Sequence, residues 1–595
     1  MVLNEEGFIR NLSVTNIHYY KSYLDNLLQK ERGKLKRQHQ IRLPEVKSTC
    51  CFNAFENFLN LTKNPNIYPY DNYEERLVRL NENIKKLNDL QFQAFKIIAN
   101  HLTSDDKATQ LQMFLSGEGG TGKSKIIEYA VEFARLYFGR QEGHYGPVIA
   151  VAQSGTASNN INGYTWHSVV NKGDQKSEMS NETAKKVGHK ILGVKFIILD
   201  EVSLISYSDL YDFEQRIKKS ILATIPISQK ERRQQVESKP FGGLHVLYCG
   251  DLYQLKCVQG TPLYSQSIPA DENSPTRRGY HLWNQINNFI ELTENMRMKK
   301  EDATEDDINF IQFTSGIRKG IVDTDYLRRV NQNYVGPATA TRKAHKDAIW
   351  IANTNKEVND MNQQQHYNLK AEGKSSVHIR AQHKPASQTV PMPNEEESEI
   401  LFSKTPSRNK KAFKTPTHLD FCVDEVVMLL RNLGTEIGLV NGAVGRIIAF
   451  GVSDTFANNG SEEAPIVFVQ FPTMKINQSA LPGYEKVIPV TLMQSRECIK
   501  VNNKHYYRWQ LPLAPSAAIT THKAQGITAT YGVVYSPTIN ARPFTRGLEY
   551  VAISRCPSIN MLFLLHHLRE SHFNSYLTQI QEINSCYQYF RDQFY

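Results

Sequence analysis

The segment GEGGTGKSK, residues 117–125, sets four glycines beside Lys123 and two hydroxyl side chains. It fits the pattern G-x-x-x-x-G-K-[ST], with the apolar run LQMFL before it and the helical pattern KIIEYAVEFARLYF after it. A glycine-rich turn between a strand and a helix lets backbone N–H groups converge on phosphate oxygens, and the helix N-terminus favours the anion. We therefore predict a loop that binds ATP and Mg²⁺, with Lys123 on the β- and γ-phosphates and Ser124 on the metal. The predicted nucleotide-binding residues of the loop are Gly117, Gly119, Gly120, Thr121, Gly122, Lys123 and Ser124.

Three more apolar runs, PVIAVA, KFIILD and LHVLYC, alternate with helical patterns and indicate buried parallel strands of a doubly wound α/β sheet. KFIILD ends in Asp200 and Glu201, and a P-loop ATPase needs one carboxylate near Mg²⁺ and another that orients water. We assign Asp200 to the metal and Glu201 to the general base. Gln254 follows the strand LHVLYC and is a candidate sensor of the γ-phosphate. These parts fit a kinase and a motor equally well.

Charge and cysteine usage narrow the class of protein. The chain of 595 residues has 70 Lys and Arg against 60 Asp and Glu, an excess compatible with a basic groove on a mixed surface and equally with an ordinary basic protein. Eight cysteines without a Cys-x-x-Cys pair argue against a disulfide framework or a structural zinc site. The N-terminus does not have the layout of a signal peptide, and we find no apolar run of membrane-spanning length. We expect a soluble, intracellular protein with no membrane partner.

Further motifs appear in a fixed order along the chain: LNDLQ (87–91), SGTASNNINGYTWHS (154–168), GDLYQL, LTENMR (292–297), ITTHKAQG (519–526) and EYVAISR. Together with GLVNGAVGRI (438–447) and ANTNKEVNDMN (352–362), this series resembles the Pif-type DNA helicases of superfamily one. The similarity covers about residues 85–565. QLQMFLSGEGGTGKS and ELTENMR look closest to the helicases carried by Helitron transposons.

The resemblance implies an α/β fold of two RecA-like P-loop lobes, with ATP between them, an inserted SH3-like β-barrel and a helical N-terminal extension. It implies an ATP-dependent helicase that moves five-prime to three-prime on single-stranded DNA and unwinds duplex or forked DNA as a monomer. It also implies roles in DNA repair, recombination, and genome or telomere maintenance, and a nuclear location in a eukaryotic host. Carried over to this sequence, Gln91 reads adenine, Arg297 and Arg555 neutralise transition-state charge, and Gly526 lies near nucleotide and DNA.

Two loops are predicted to grip the DNA backbone, because hydroxyls, histidine and lysine position a strand without reading its bases. The predicted DNA-binding residues are Thr165, His167 and Ser168 in the first loop and Thr521, His522 and Lys523 in the second. Trp166 either stacks on a base or belongs to the core. Residues 171–193 occupy the position of the family's strand-separating element, or form a plain surface loop.

The predicted organisation has six parts. An N-terminal helical and basic extension (1–84) includes a helix over 11–31 and a basic stretch at 30–42, which is either solvated surface, a nucleic-acid contact or a nuclear-import signal. The first lobe spans 85–300, and the second begins at 301–383. A Pro- and Lys-rich mobile linker (384–418) precedes an inserted β-barrel-like domain (419–510), predicted from the runs EVVMLL, GRIIAF, PIVFVQF and KVIPVTL. Residues 511–595 complete the second lobe and end in a helix whose apolar stripe docks on the core: Phe573, Leu577, Ile580, Ile583, Tyr587 and Phe590.

Three alternatives remain beside the DNA helicase. The first is a single-stranded nucleic-acid binding protein with a relic ATPase, against which the intact phosphate-handling residues argue. The second is an RNA-directed superfamily one helicase. The third is a small-molecule P-loop kinase, which leaves the second lobe unexplained.

Overall fold

The structure is a computed structural model. It describes residues 8–9, 73–104, 110–139, 141, 143–172, 178–296, 304–403, 416–434, 437–451, 466–527, 529–537, 546–574 and 577–595. The predicted helix at 11–31, the basic stretch at 30–42 and Arg297 lie outside the described residues.

The strands are β1 Phe8–Ile9, β2 Gln112–Gly117, β3 Val148–Ala152, β4 Tyr164–Thr165, β5 Phe196–Asp200, β6 His245–Gly250, β7 Asn288–Leu292, β8 Ile349–Ala352, β9 Ser376–Arg380, β10 Gln382–Pro385, β11 His418–Cys422, β12 Val426–Leu429, β13 Val444–Gly451, β14 Ile466–Gln470, β15 Val487–Val490, β16 Met493–Val501, β17 Lys504–Gln510, β18 Leu513–Pro515, β19 Ala518–Thr520, β20 Val533–Ser536 and β21 Leu562–Leu564. The α-helices are Tyr73–Ile84, Asp89–Thr103, Lys123–Phe138, Gly155–Asn160, Trp166–Val169, Asn181–Lys190, Tyr207–Leu222, Lys230–Ser238, Pro275–Trp283, Glu305–Arg318, Thr324–Asn331, Pro337–Lys343, Asn355–Ala371, Glu395–Ser403, Thr521–Ala524, Leu548–Ile553, Ser571–Asn574 and Leu577–Phe594. None of these helices combines the length and the apolarity needed to cross a bilayer.

The chain forms two compact units. Residues 37–353 and 520–595 make up one, which we call the P-loop unit; residues 1–36 and 354–519 make up the other, which we call the β unit.

The P-loop unit contains a six-stranded sheet in the order β4-β3-β5-β6-β2-β7, and every neighbouring pair is parallel. The interior strands β2 and β3 are buried along their whole length, since helices cover both faces. The four strands predicted from apolar runs are confirmed. Because β5, β6 and β2 are neighbours and parallel, the loops at their carboxyl ends meet at one edge of the sheet. Strands β8, β20 and β21 form a second parallel sheet in this unit, so the coarse α/β prediction is also confirmed.

The C-terminal helix Leu577–Phe594 packs against the first sheet, as its apolar stripe predicts. Tyr587 is completely buried, and its ring stacks on Tyr253 with 5.2 Å between ring centroids. Its hydroxyl lies 2.6 Å from Ser116 Oγ and accepts the backbone N–H of Leu252 at 3.1 Å. This one side chain therefore joins the end of β2 to the segment after β6.

The β unit is built mainly from antiparallel strands. One sheet has the order β15-β14-β13-β12-β18, with β1 parallel beside β13; β10-β17-β16 and β9-β11 form two smaller sheets. The four runs predicted as strands are β12, β13, β14 and β15. The segment predicted to be a mobile linker contains the helix Glu395–Ser403, whose Leu401 is buried; residues 404–415 lie outside the described residues. The barrel and the helical extension stay predictions.

We predict that Tyr587→Ala destabilises the P-loop unit by about 3–5 kcal/mol, because it leaves a cavity and strips Leu252 N–H of its acceptor. Tyr589→Ala on the same helix is the matched control, since Tyr589 is 46% exposed. Unfolding in urea is followed by tryptophan fluorescence, which reports mainly on this unit because three of the four tryptophans lie in it. Equal unfolding midpoints for the two variants would show that the helix does not contribute through Tyr587.

Candidate nucleotide site

The loop between β2 and the helix Lys123–Phe138 needs glycine at several positions. Gly120 and Gly122 have φ values of 97° and 88°, in the left-handed region that favours glycine. A Cβ atom on Gly122 would collide with the amide nitrogen of Gln91, and one on Gly117 would lie only 2.6 Å from Thr121 Oγ1. The glycines of the motif therefore reflect both backbone conformation and close packing.

The carbonyl oxygens of this loop are occupied by donors from several directions. Lys123 Nζ donates to Gly117 O at 2.5 Å and to Glu118 O at 2.9 Å, and Thr121 Oγ1 also donates to Glu118 O. Asn295 Nδ2 donates to Gly119 O at 3.1 Å. An approaching phosphate therefore meets amide donors and the Lys123 ammonium rather than unpaired acceptors.

Gln91 connects the loop to the preceding helix. Its side-chain nitrogen donates to Thr121 O at 2.9 Å, while its Oε1 accepts the N–H of Asn88 at 3.1 Å. Asn88 caps the helix Asp89–Thr103 and also donates to Glu294 at 2.6 Å. The structure thus places Gln91 against the P-loop. The nitrogen of its amide supports the loop, and the oxygen supports the start of the helix Asp89–Thr103.

The motif LTENMR contributes a residue that sequence reasoning missed. Asn295 is 4% exposed, and besides Gly119 O its amide contacts Glu118 Oε1 at 2.9 Å. The next residue, Met296, donates its N–H to Gly120 O at 3.0 Å. Nothing in the sequence distinguishes this amide from a surface asparagine, and only the pairing of β7 with β2 brings it to the loop.

Asp200 lies at the carboxyl end of β5, which β6 separates from the P-loop strand β2, and its environment disfavours a bare anion. Burial, and then the charge of Glu201, raise the pKa of Asp200 to about 7, against the lowering effects of a backbone hydrogen bond and the Lys123 ammonium. A bound cation would remove this penalty. Asp200 and the exposed hydroxyl of Ser124 at the first helical turn are thus a hard-oxygen donor set that fits Mg²⁺.

Glu201 meets a residue from far along the chain. Gln525 is buried, and its Nε2 donates to Glu201 Oε2 at 2.9 Å and to Ser203 Oγ at 3.2 Å. The adjacent Gly526 has φ 81°, and a Cβ atom there would lie 3.4 Å from Glu201 Oε1. Asn160 donates to Gly526 O. The motif ITTHKAQG therefore reaches the predicted general base through Gln525, which sequence reasoning did not single out.

Arg555 also comes to the P-loop. Its side chain is buried, with Nε donating to Val551 O at 3.0 Å and Nη2 to Ser554 Oγ at 3.0 Å. The same Nη2 lies 3.5 Å from the position of a Cβ atom on Gly119. A guanidinium more than 400 residues away in sequence therefore faces the phosphate loop.

The segment after β6 is held rigidly. Asp251 forms a two-pronged ion pair with Arg318 at 2.7 and 2.8 Å, with both side chains buried. Burial alone would raise the pKa of Asp251, but the Arg318 guanidinium outweighs it and holds that pKa below its usual value. Arg546 donates to the carbonyl oxygens of residues 252, 253 and 254. Gln254 itself is buried, and its Oε1 has no hydrogen-bond partner among the described residues.

The first predicted DNA-gripping loop is partly engaged in the protein. Trp166 is 1% exposed, which favours the interpretation that it belongs to the core. The ring of His167 stacks on it with 3.9 Å between ring centroids. Burial, and then Lys172, lower the pKa of His167, so its ring is neutral near pH 7. Thr165 is half-buried, and Ser168 is exposed with its hydroxyl donating to Thr165 O at 2.7 Å.

In the second loop, Thr521 is completely buried and donates to Asn353 Oδ1 at 2.6 Å. Its neighbours His522 and Lys523 are exposed. The loop therefore turns two of its three predicted DNA-binding residues to the surface.

The described part of 171–193 contains a helix, not only a loop. Asn181–Lys190 buries Ala184 and Val187 in the core of the P-loop unit, and residues 173–177 lie outside the described residues.

A model of the PIF1-like helicase family matches residues 86–327. The predicted resemblance to Pif-type helicases is confirmed. Among relatives, an uncharacterized protein, 030L, of Invertebrate iridescent virus 6 is 25% identical over 82% of this chain and 92% of that protein. The ATP-dependent DNA helicase PIF1 of Xenopus laevis is 26% identical over 76% of this chain, which spans only 58% of that helicase.

Solved structures agree on the fold. The Pif1 helicase of Candida albicans has a TM-score of 0.58 at 21% identity, covering 84% of this chain and 99% of its own. Bacteroides Pif1 bound to single-stranded DNA has a TM-score of 0.53 at 18% identity, covering 84% of this chain and 96% of its own.

We predict that Asn295→Ala weakens nucleotide binding by roughly 5-fold or more, because losing a buried hydrogen-bond donor costs about 1–3 kcal/mol and loosens the loop. A fluorescent ADP analogue measures the dissociation constant. The exposed Asn273→Ala is the control. Unchanged affinity with a native circular dichroism spectrum would show that Asn295 does not organise the loop.

Proposed function

We propose that this protein is an ATP-dependent DNA helicase, which hydrolyses ATP with Mg²⁺ to move along single-stranded DNA and unwind duplex or forked DNA. The observation that carries the proposal is the meeting of Gln525 with Glu201 and of Arg555 with the P-loop. Both residues come from the segment after 519, and both reach the groups that handle phosphate.

The ATPase half of the proposal follows from the charges at the site. Lys123 supplies positive charge to the β- and γ-phosphates, and Asp200 with Ser124 holds Mg²⁺. Glu201 orients the attacking water, and Arg555 neutralises charge on the transferring phosphoryl group. Gln91 contacts adenine, Gln254 senses the γ-phosphate, and Arg297 adds a second guanidinium.

The proposal that the protein is a motor rests on the parts of the chain from which the ATP-binding residues come. If ATP binds groups from both halves of the unit, its binding favours their closure and hydrolysis releases them. We propose that the chain forms two RecA-like lobes, 85–300 for the first and 301–383 with 511–595 for the second, and that both supply ligands to ATP. Residues 419–510 would form the inserted barrel, which this family holds against the DNA track.

DNA is the proposed track because the relative from Xenopus laevis is an ATP-dependent DNA helicase and one similar structure is bound to single-stranded DNA. Residues Thr165, His167, Ser168, His522 and Lys523 are the proposed backbone contacts. The buried Thr521 of the second loop would position His522 and Lys523 rather than contact DNA itself. Movement five-prime to three-prime, action as a monomer, a nuclear location in a eukaryotic host and roles in repair, recombination and genome maintenance extend the same proposal.

The deciding experiment measures ATP hydrolysis by the purified chain alone, with single-stranded DNA and with single-stranded RNA. We expect strong stimulation by DNA and weak stimulation by RNA, followed by unwinding of a duplex with a five-prime tail. Preferred stimulation by RNA would support an RNA-directed helicase. Binding of DNA without hydrolysis under any condition would support a binding protein with a relic ATPase.

Two substitutions test the catalytic assignments. Lys123→Ala and Glu201→Gln should each abolish ATP turnover, because the first removes phosphate neutralisation and the second removes the base, while DNA binding is largely kept. Lys125→Ala is the matched control, since Lys125 is exposed and pairs with Glu128 on the helix surface. Steady-state phosphate release checks the outcome, and turnover retained by either variant would refute the assignment.

The exposed Lys523 gives a test of the DNA track. Lys523→Ala should weaken binding to all single-stranded sequences similarly and reduce the slope of log affinity against log salt by about 0.7. Fluorescence anisotropy at several salt concentrations measures this slope. An unchanged slope would place Lys523 away from the DNA phosphates.

A further inference from the structure

Three buried side chains of the β unit lie close together in space, and none of them belongs to the candidate nucleotide site. His366 lies on the helix Asn355–Ala371, Cys422 ends β11, and Glu425 comes just before β12. All three are at least nine-tenths buried, with exposed fractions of 9%, 0% and 3%. The metal-ligating atoms that they offer lie within 4.8 Å of one another.

We propose that Cys422, His366 and Glu425 bind one zinc ion, which fastens the helix Asn355–Ala371 to the turn between β11 and β12. Cysteine sulfur, imidazole nitrogen and carboxylate oxygen are the three ligand types that Zn²⁺ takes in proteins. A water molecule or a backbone oxygen would complete four-coordination.

The turn that carries two of the ligands is closed on itself. Glu425 N donates to Cys422 O at 3.2 Å, and Cys422 N donates to Glu425 Oε2 at 2.8 Å. Asp424 between them has φ 69°, a left-handed conformation that brings residues i and i+3 side by side. The resulting Cys-x-x-Glu spacing equals the two-residue spacing of ligands in zinc knuckles.

The imidazole of His366 lies beside both residues of this turn. His366 Nε2 lies 3.9 Å from Cys422 Sγ, and its Nδ1 lies 3.0 Å from Glu425 Oε2. Bond lengths of about 2.0–2.3 Å set ligand atoms about 3.2–3.8 Å apart around a tetrahedral zinc ion. One imidazole offers only one nitrogen to a given ion, and with one ligand atom taken from each residue all three atoms lie within 4.8 Å of one another. That spacing exceeds the tetrahedral one by about an ångström.

A second observation points to a missing partner. Glu425 Oε1 is buried and has no hydrogen-bond partner among the described residues. A buried carboxylate oxygen without a partner costs free energy, and a cation removes that cost. Binding would release the thiol proton of Cys422, so affinity would fall as pH falls.

The lack of a Cys-x-x-Cys pair is the sequence feature that speaks against structural zinc. A Cys-x-x-Glu turn completed by a histidine 56 residues earlier has no such pair. The prediction against structural zinc and this proposal therefore disagree, and metal analysis decides between them.

The test uses the full-length chain. We expect about one zinc ion per chain in protein purified without chelator, by elemental mass spectrometry. After chelation, titration with Co²⁺ should produce the sulfur-to-cobalt absorption band of a thiolate ligand. A magnesium site at the P-loop contributes no sulfur, so this band reports only on a cysteine site.

Cys422→Ser should abolish the cobalt band and lower zinc affinity by more than about 100-fold, beyond what loss of a ligand's outer partner costs. Cys498→Ser and His378→Ala are matched controls from the same unit, with exposed side chains. Circular dichroism establishes that each variant is folded. A wild-type chain that shows neither zinc nor the cobalt band would overturn the proposal and leave a hydrogen-bonded cluster. A band that survives in folded Cys422→Ser would also overturn it, since the thiolate would then be another cysteine.

Discussion

The phosphate loop is organised by hydrogen bonds to its carbonyl oxygens. From Gly117 to Thr121, each backbone oxygen accepts a hydrogen bond, from Lys123, Asn295, Met296, Gln91 or Thr121 itself. These donors come from the loop, the preceding helix and the segment after β7. Because the acceptors are already satisfied, the side of the loop that remains for a ligand is rich in donors. The loop is therefore prepared for an anion by its neighbours, and not by its glycines alone.

This dependence explains how much of the site could be predicted. The glycines and Lys123 follow a local pattern, because strand, turn and helix succeed one another between residues 112 and 138. The same holds for Asp200 and Glu201, which end an apolar run that is buried as a strand. Residues whose role is to support that pattern from elsewhere carry no comparable signal. Asn295 and Gln525 are ordinary amides in sequence. Only the parallel pairing of β7 with β2 brings Asn295 to the loop, and only the return of the chain after 519 brings Gln525 to Glu201.

In the fold, too, features that follow from local sequence could be predicted, whereas features that depend on tertiary contacts could not. Periodicity predicted the buried strands and the C-terminal helix, since burial of one face determines which positions are apolar. Composition was a weaker guide for 384–418, where a Pro- and Lys-rich segment still contains the helix Glu395–Ser403. That helix is held by tertiary contacts: Leu401 is buried, and Tyr506 donates to Glu397 at 2.9 Å. Trp166 shows why an aromatic residue in a binding motif is ambiguous, because the pattern is the same whether its ring faces solvent or, as here, the core.

The backbone at Glu201 shows how the predicted base could be kept in place. Its φ and ψ are 53° and 47°, a left-handed conformation that costs a non-glycine residue about 1–2 kcal/mol. Such a conformation persists only where the surroundings impose it, and these are tight: a Cβ atom on Gly250 would lie 3.0 Å from Val202 N. At the side chain of Glu201, Gln525 donates a hydrogen bond to one carboxylate oxygen. The orientation of Glu201 is thus controlled from two directions, by the end of β6 through the backbone and by the segment after 519 through the side chain. A movement of either the end of β6 or the segment after 519 would redirect the carboxylate of Glu201. If Glu201 is the catalytic base, the position of the segment after 519 therefore controls hydrolysis.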